Sequence, residues 1–170
     1  LFVLALASQI PTVWADSGSH DFELYSLDGT LFDLKRLRTS ETTKAVIVDF
    51  FEVSCIPCRK ALPKWGALHK ELKAKGMRMV VVALPGPEDR RTAEAKLKQY
   101  FQSNPVPFPV VFDKYKKVAQ LYGVEKDGSA RLPQAFLLNP AGKTIAHGKG
   151  PEDLETALRK ELTSKSTPAP

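Results

Sequence analysis

Ala45-Val-Ile-Val-Asp-Phe-Phe51, then Glu-Val-Ser, then Cys55-Ile-Pro-Cys58-Arg59: an apolar run of strand length leads through a short link into the chain's two cysteines. The run is broken by Asp49 alone, and such near-continuous apolar runs suit a central strand buried on both faces. From Cys58 to Lys75 the positions Leu62, Trp65, Leu68 and Leu72 recur at helical spacing, and Gly76 supplies a stop. Pro63 within that helix predicts a kink. A strand followed by Cys-X-X-Cys at a helix start sets the first sulfur among unpaired backbone N–H groups at the positive end of the macrodipole, which favours thiolate over thiol. The second sulfur lies one helical turn on, where it can resolve a mixed disulfide formed by the first. Pro57, inside the motif, fits the first helical turn because its missing N–H would have gone unpaired.

Two other readings of the pair stay open on residues alone, a pair of buried core cysteines and half of a zinc site. Structural zinc asks for four Cys or His ligands, and there is no second Cys pair. His20, His69 and His147 are scattered, and haem attachment is excluded because Arg59 stands where that motif needs His. Composition is that of an ordinary soluble domain, 43% hydrophobic and 26% charged. The net charge of +6 is spread over helix-like segments among acids, so it reads as solvated helix faces and not as a nucleic-acid groove.

Leu1 to Ala15 is uncharged, mostly apolar, and ends in Val13-Trp14-Ala15 ahead of the polar stretch Asp16 to His20. Residues 1–15 thus read as the remnant of a secretory signal peptide. Interrupted by Gln9 and Pro11, they are too short to span a bilayer, while anchoring through sequence further upstream stays open. Residues 16–163 form the folded domain and 164–170, rich in Ser, Thr, Pro and Ala, a disordered tail. The location this implies is periplasmic or otherwise extracytoplasmic, where a disulfide persists.

The remaining elements follow in alternation. Phe22 to Leu34 reads as a hairpin turning at Asp28-Gly29. Met77 to Leu84 is a second buried strand, Glu88 to about Phe101 a helix, Val110 to Phe112 a short strand, and Tyr115 to Tyr122 a short helix closed by Gly123. Ala135 to Leu138 and Lys143 to His147 are strands joined by the turn Asn139-Pro140-Ala141-Gly142, and Glu152 to Leu162 is a last amphipathic helix. The fold class is α/β, a central mixed sheet flanked by helices on both faces. Chemistry in such sheets sits beyond the carboxyl ends of the central strands, where the cysteines fall.

In this order the chain resembles the thioredoxin fold, and more closely the exported TlpA/ResA/DsbE-type thiol-disulfide oxidoreductases, over about Asp21 to Leu162. The carriers are Phe22-Glu-Leu-Tyr-Ser-Leu-Asp-Gly, Val48-Asp-Phe-Phe, Cys55-Ile-Pro-Cys58-Arg, Pro63, Tyr122-Gly-Val and Leu132-Pro133-Gln-Ala-Phe-Leu-Leu-Asn-Pro-Ala-Gly, with Glu88 to Phe112 as the group's helix-strand insertion. The resemblance implies a catalytic pair Cys55 and Cys58, and a cis-proline at Pro133 against the sulfurs. It also aligns Asp49 with a buried acid beneath the pair. Among apolar neighbours that acid would have a raised pKa and could accept a proton from Cys58. An acid merely satisfied by hydrogen bonds is the plainer alternative for Asp49, and a trans strand-start proline for Pro133.

The implied activity is reduction of protein disulfides, with cytochrome c maturation as a family setting. The implied partners are protein disulfide substrates and a membrane thiol reductant, acting on a monomer that uses no cofactor. The chain departs from the family at Ser54, where relatives carry Trp, and at Ala61, where they carry Glu. Ser54 could cap the helix or bond a sulfur, and proton handling falls to Asp49, Glu52 or water. Two rivals use the same cysteines: a metallochaperone holding Cu(I) between thiolates, with His147 as a distant candidate, and a peroxiredoxin-like peroxidase. The peroxidase signature Pro-X3-Thr-X2-Cys is absent ahead of Cys55.

Overall fold

The computed structural model describes residues 20–164. The expected signal remnant at 1–15 and the tail residues 165–170 lie outside that range.

The apolar run before the cysteines forms β3, Ala45–Phe51, and every residue in it is buried. It pairs in parallel with β4, Met77–Ala83, and antiparallel with β8, Gln134–Leu138. With β5, Val110–Phe112, and β9, Thr144–Gly148, these make one five-stranded sheet of order β5-β4-β3-β8-β9. A hairpin of β1, Glu23–Tyr25, and β2, Leu31–Asp33, forms a separate small sheet turning at Gly29, whose φ of 88° a glycine adopts without penalty.

Burial on both faces of β3 and β4 dictates helices on both sides. One face carries α2, Ile56–Leu72, α3, Arg90–Ser103, and α5, Pro151–Thr163; their Leu62, Trp65, Leu97, Leu154 and Leu158 pack on Ile47, Phe51, Met79 and Val81. The opposite face carries α1, Leu34–Arg38, and α4, Lys117–Leu121, with the hairpin; Leu34, Val118, Phe22 and Phe32 cover Val46, Val48, Phe50 and Val82. Each large apolar side chain so buried contributes about 1.5–3 kcal/mol.

The differences from the sequence reading are local. α2 starts at Ile56 with Pro57 in its first turn, as expected, and its run passes through Pro63 to Leu72, then tightens into a 3₁₀ turn over Lys73–Lys75 before Gly76 at φ 102°. α1 was not expected, nor was the pair β6, Glu125–Lys126, and β7, Ser129–Ala130, which turns at Asp127 and Gly128. α1 is too short to announce itself: Asp33 accepts the Arg36 N–H at its start, and its buried Arg38 pairs bidentately with Asp21 and donates to the Pro140 carbonyl.

Candidate active site

Beyond the carboxyl end of β3, residues 52–54 carry the chain to Cys55, which is the N-cap of α2. The Cys55 N–H donates to the Glu52 carbonyl at 3.0 Å, closing the turn, and the Cys58 N–H donates to Cys55 Sγ at 3.2 Å. A sulfur in that position takes the place of a capping oxygen, facing the first-turn N–H groups of a helix seventeen residues long. Cys55 and Cys58 form a disulfide with a Cα–Cα separation of 5.3 Å. Their exposure is unequal: Cys55 is half-buried, whereas Cys58 is 1% exposed. Pro57 occupies the first turn, where no intrahelical donor is lost.

Ser54 does not cap the helix, since Cys55 holds that place, and its hydroxyl donates instead to the Glu52 carboxylate. Glu52 is thereby tied into the turn that delivers the cysteines.

Asp49 lies in the middle of β3, in register with Val81 on one side and Ala135 on the other. Strand alternation turns it to the face that packs α2, where Trp65 Nε1–H donates to its Oδ1 at 3.2 Å. Trp65 and Cys58 sit in the same apolar cluster on that face. Asp49 is 2% exposed, and its Oδ2 has no hydrogen-bond partner among the described residues. Burial pushes its carboxyl up to about 8, against a smaller downward pull from the Trp65 bond. Trp65 was legible in the sequence only as a core position at helical spacing; a lone buried acid beside a buried indole in the next element is the signal that would have paired them.

Pro133 begins β8. The Leu132–Pro133 bond is cis, and the registered pair Phe50–Gln134 places Pro133 alongside the carboxyl end of β3, from which the cysteine loop departs. His147 lies elsewhere on the sheet, stacked on Phe136 and bonded to Gln134.

The chemistry open to this arrangement is a reversible two-electron exchange between a dithiol and a disulfide. One sulfur is reachable and sits at a helix start, the other is enclosed, and a protonatable acid lies on the face that encloses it.

Comparison with known proteins agrees in kind. The model of the AhpC/TSA family matches residues 18–147. The thiol-disulfide oxidoreductase ResA of Bacillus thuringiensis subsp. konkukian is 32% identical over 143 residues, which span 82% of this chain and 74% of that protein. ResA of Bacillus subtilis is 30% identical over 131 residues, 76% of this chain and 64% of its own length. Among solved structures, a protein from Chlorobium tepidum described as a thiol:disulfide interchange protein DsbE superposes with a TM-score of 0.68 at 29% identity, covering 84% of this chain and 93% of that one. StoA of Bacillus subtilis, at 22% identity and a TM-score of 0.64 over 87% of this chain and 99% of its own, shares the fold.

Proposed function

The chain belongs to the AhpC/TSA family and is a thiol-disulfide oxidoreductase of the ResA kind with a thioredoxin-like fold; from that premise we propose that it acts outside the cytoplasm as a reductant of protein disulfides, through Cys55 and Cys58. The observation that carries the reading is the unequal exposure of two sulfurs placed at the start of α2. A disulfide reductant needs one nucleophile that a protein partner can reach and one that the partner cannot.

In the reduced protein the Cys55 thiolate attacks one sulfur of the substrate disulfide. A Cys55–substrate bond forms, the substrate S–S bond breaks, and the first substrate thiolate leaves and takes up a proton. Cys58 then loses its proton to the Asp49 carboxylate and attacks Cys55 Sγ. The Cys55–Cys58 bond forms, the second substrate thiol departs with the proton, and two electrons have passed to the substrate. An acid whose pKa stands near 8 is matched to a thiol, whose ordinary value is about 8.5. Pro133 flanks the site as a neutral wall without an N–H. A membrane thiol reductant returns the pair to the dithiol, residues 1–15 serve as export signal, residues 16–163 are the catalytic domain, 164–170 are a tail, and the working unit is a monomer. Among the described residues no helix is long and apolar enough to cross a membrane, which leaves any anchor to other parts of the chain. Cytochrome c maturation is one setting for such a reductant.

Three measurements test this together. Cys55→Ser abolishes reduction of insulin or of an oxidised apocytochrome peptide, whereas Cys58→Ser accumulates mixed disulfides visible by mass spectrometry. Equilibration with glutathione or dithiothreitol gives a potential more negative than about −200 mV. A potential near about −120 mV, typical of an oxidant of folding proteins, would reverse the assigned direction of electron flow.

A further inference from the structure

Beside the cysteine turn, the start of α2 and the outer side of α3 face each other across an open groove of about 610 Å³. Its apolar wall is made by Val53, Ile56 and Tyr100. Ile56, which directly follows Cys55, is 55% exposed and so presents apolar surface beside the sulfur that a partner reaches. The charges around the groove are unbalanced. Lys96 at its edge is held by Glu88 at 3.1 Å, but Arg59 and Lys60 form no ion pair among the described residues, and the charge of Arg59 is felt at the Tyr100 hydroxyl. On the far side of Val53, Glu52 and the paired Glu88 and Lys96 line a smaller slot of about 330 Å³.

We propose that the groove between α2 and α3 selects substrates, by seating an extended segment of the protein disulfide partner that carries an apolar side chain flanked by acidic residues. The inference rests on the reductant reading and names the substrate class of that same site. The geometry sets which residues are sensed. Val53 and Ile56 lie within two positions of Cys55, so an extended partner joined to Cys55 brings residues about two to three positions from its own cysteine over the groove. Apolar anchoring beside Ile56 and Tyr100 supplies affinity, while Arg59 and Lys60 supply sign discrimination, since an acidic flank meets two unpaired cations and a lysine flank is repelled by them. The groove is built by α3, so it belongs to the inserted helix and not to the wall formed by Pro133.

The test uses the full chain, reduced, with two synthetic disulfide-linked peptides that share a Leu two residues from the reacting cysteine and differ only in bearing Asp or Lys on either side of it. Each kcat/KM is divided by the rate of the same protein on hydroxyethyl disulfide, a neutral molecule too small to reach the groove. The expected result is a preference for the Asp peptide of about fivefold to tenfold at low salt, shrinking toward unity near 1 M salt, where the screening length is about 3 Å. The double variant Arg59→Glu, Lys60→Glu inverts the preference. Equal use of the two peptides by the natural protein at low salt, or a preference that survives charge reversal, overturns the groove while leaving the reductant reading standing. Failure to turn over hydroxyethyl disulfide overturns the reductant reading and the groove with it. The peptide ratio and its salt dependence are read on the natural protein, so they hold whether or not the variant folds.

Discussion

Two aspartates of the central sheet region are almost equally buried, Asp49 at 2% exposure in β3 and Asp113 at 1% just past the end of β5, yet their surroundings differ in kind. Asp113 is stitched into the backbone. Its Oδ1 accepts the Lys117 N–H and its Oδ2 the Ala119 N–H, both at 2.9 Å, and it thereby caps α4, whose own N-cap residue Lys116 makes no side-chain bond. Asp49 has a single donor, the Trp65 indole, and leaves Oδ2 with no partner among the described residues. Burial raises both groups, and at Asp113 backbone N–H donors pull back toward the charged form. A carboxyl kept half-satisfied costs stability. The contrast teaches that equal burial does not make two acids alike: Asp113 spends both oxygens on backbone donors, whereas Asp49 keeps one oxygen free of any partner among the described residues.

The largest way to break the contrast is through stability against pH. Asp49 has a folded value near 8, above its ordinary 3.8, so the folded state holds this proton more tightly than the unfolded chain does. Its contribution is fully present below about pH 4 and is lost progressively as pH rises toward 8. The expected result is that oxidised wild type loses several kcal/mol of unfolding free energy between those limits that Asp49→Asn does not lose, as read from urea melts at each pH. Parallel pH profiles for the two proteins would mean that Asp49 titrates in its ordinary range.

Next in size comes the cap. Asp113→Ala strips two backbone N–H groups of their acceptor and costs about 3 kcal/mol, measured in the same urea melts. Turnover of disulfide substrates should stay within about twofold, because α4 lies on the sheet face opposite α2. If Asp113→Ala slows catalysis as much as a change at Asp49, the two acids are not divided as described.

How far the sequence reached follows from the same distinction between what is local and what is tertiary. β3 was legible to the residue, because a strand buried on both faces has to be apolar from end to end, and the single exception, Asp49, marked itself. The cysteines and the helix after them were legible from spacing, and the Leu132–Pro133 segment from resemblance. α1, β6 and β7 were not, since elements of five and two residues carry no periodicity and are held by partners distant in sequence, as Arg38 is by Asp21 and Pro140. By residue type Ser54 could cap the helix or bond a sulfur, but the turn brings Glu52 within its reach and leaves the cap to Cys55 Sγ. The groove under Ile56 was invisible, because nothing in a sequence says which side of α3 will face α2.

A third effect sharpens the role of Asp49 in the chemistry. Asp49→Asn keeps an acceptor for Trp65 but cannot take a proton, so resolution by Cys58 should slow by about 100-fold, or about 2.7 kcal/mol in barrier, while attack by Cys55 is little changed. Stopped-flow mixing with a disulfide peptide separates the steps, since the mixed disulfide then persists long enough to be trapped. An unchanged lifetime would hand the proton to water or to Glu52.

The smallest change reaches Asp49 through its one donor. The indole bond favours the charged carboxyl, so Trp65→Phe removes a downward pull and moves the titration of Asp49 further up. Less carboxylate is then present at neutral pH. The resolving step should slow by about fivefold, the equivalent of one hydrogen bond worth about 1 kcal/mol, and its pH–rate curve should move to higher pH. Lost packing alone would lower the rate without moving the curve, which is why the position of the curve is the readout. In Asp49→Asn the same tryptophan change should add nothing to the rate loss, because the group it tunes is gone. An additive double variant would place Trp65 in the packing of α2 and leave Asp49 without a tuned partner.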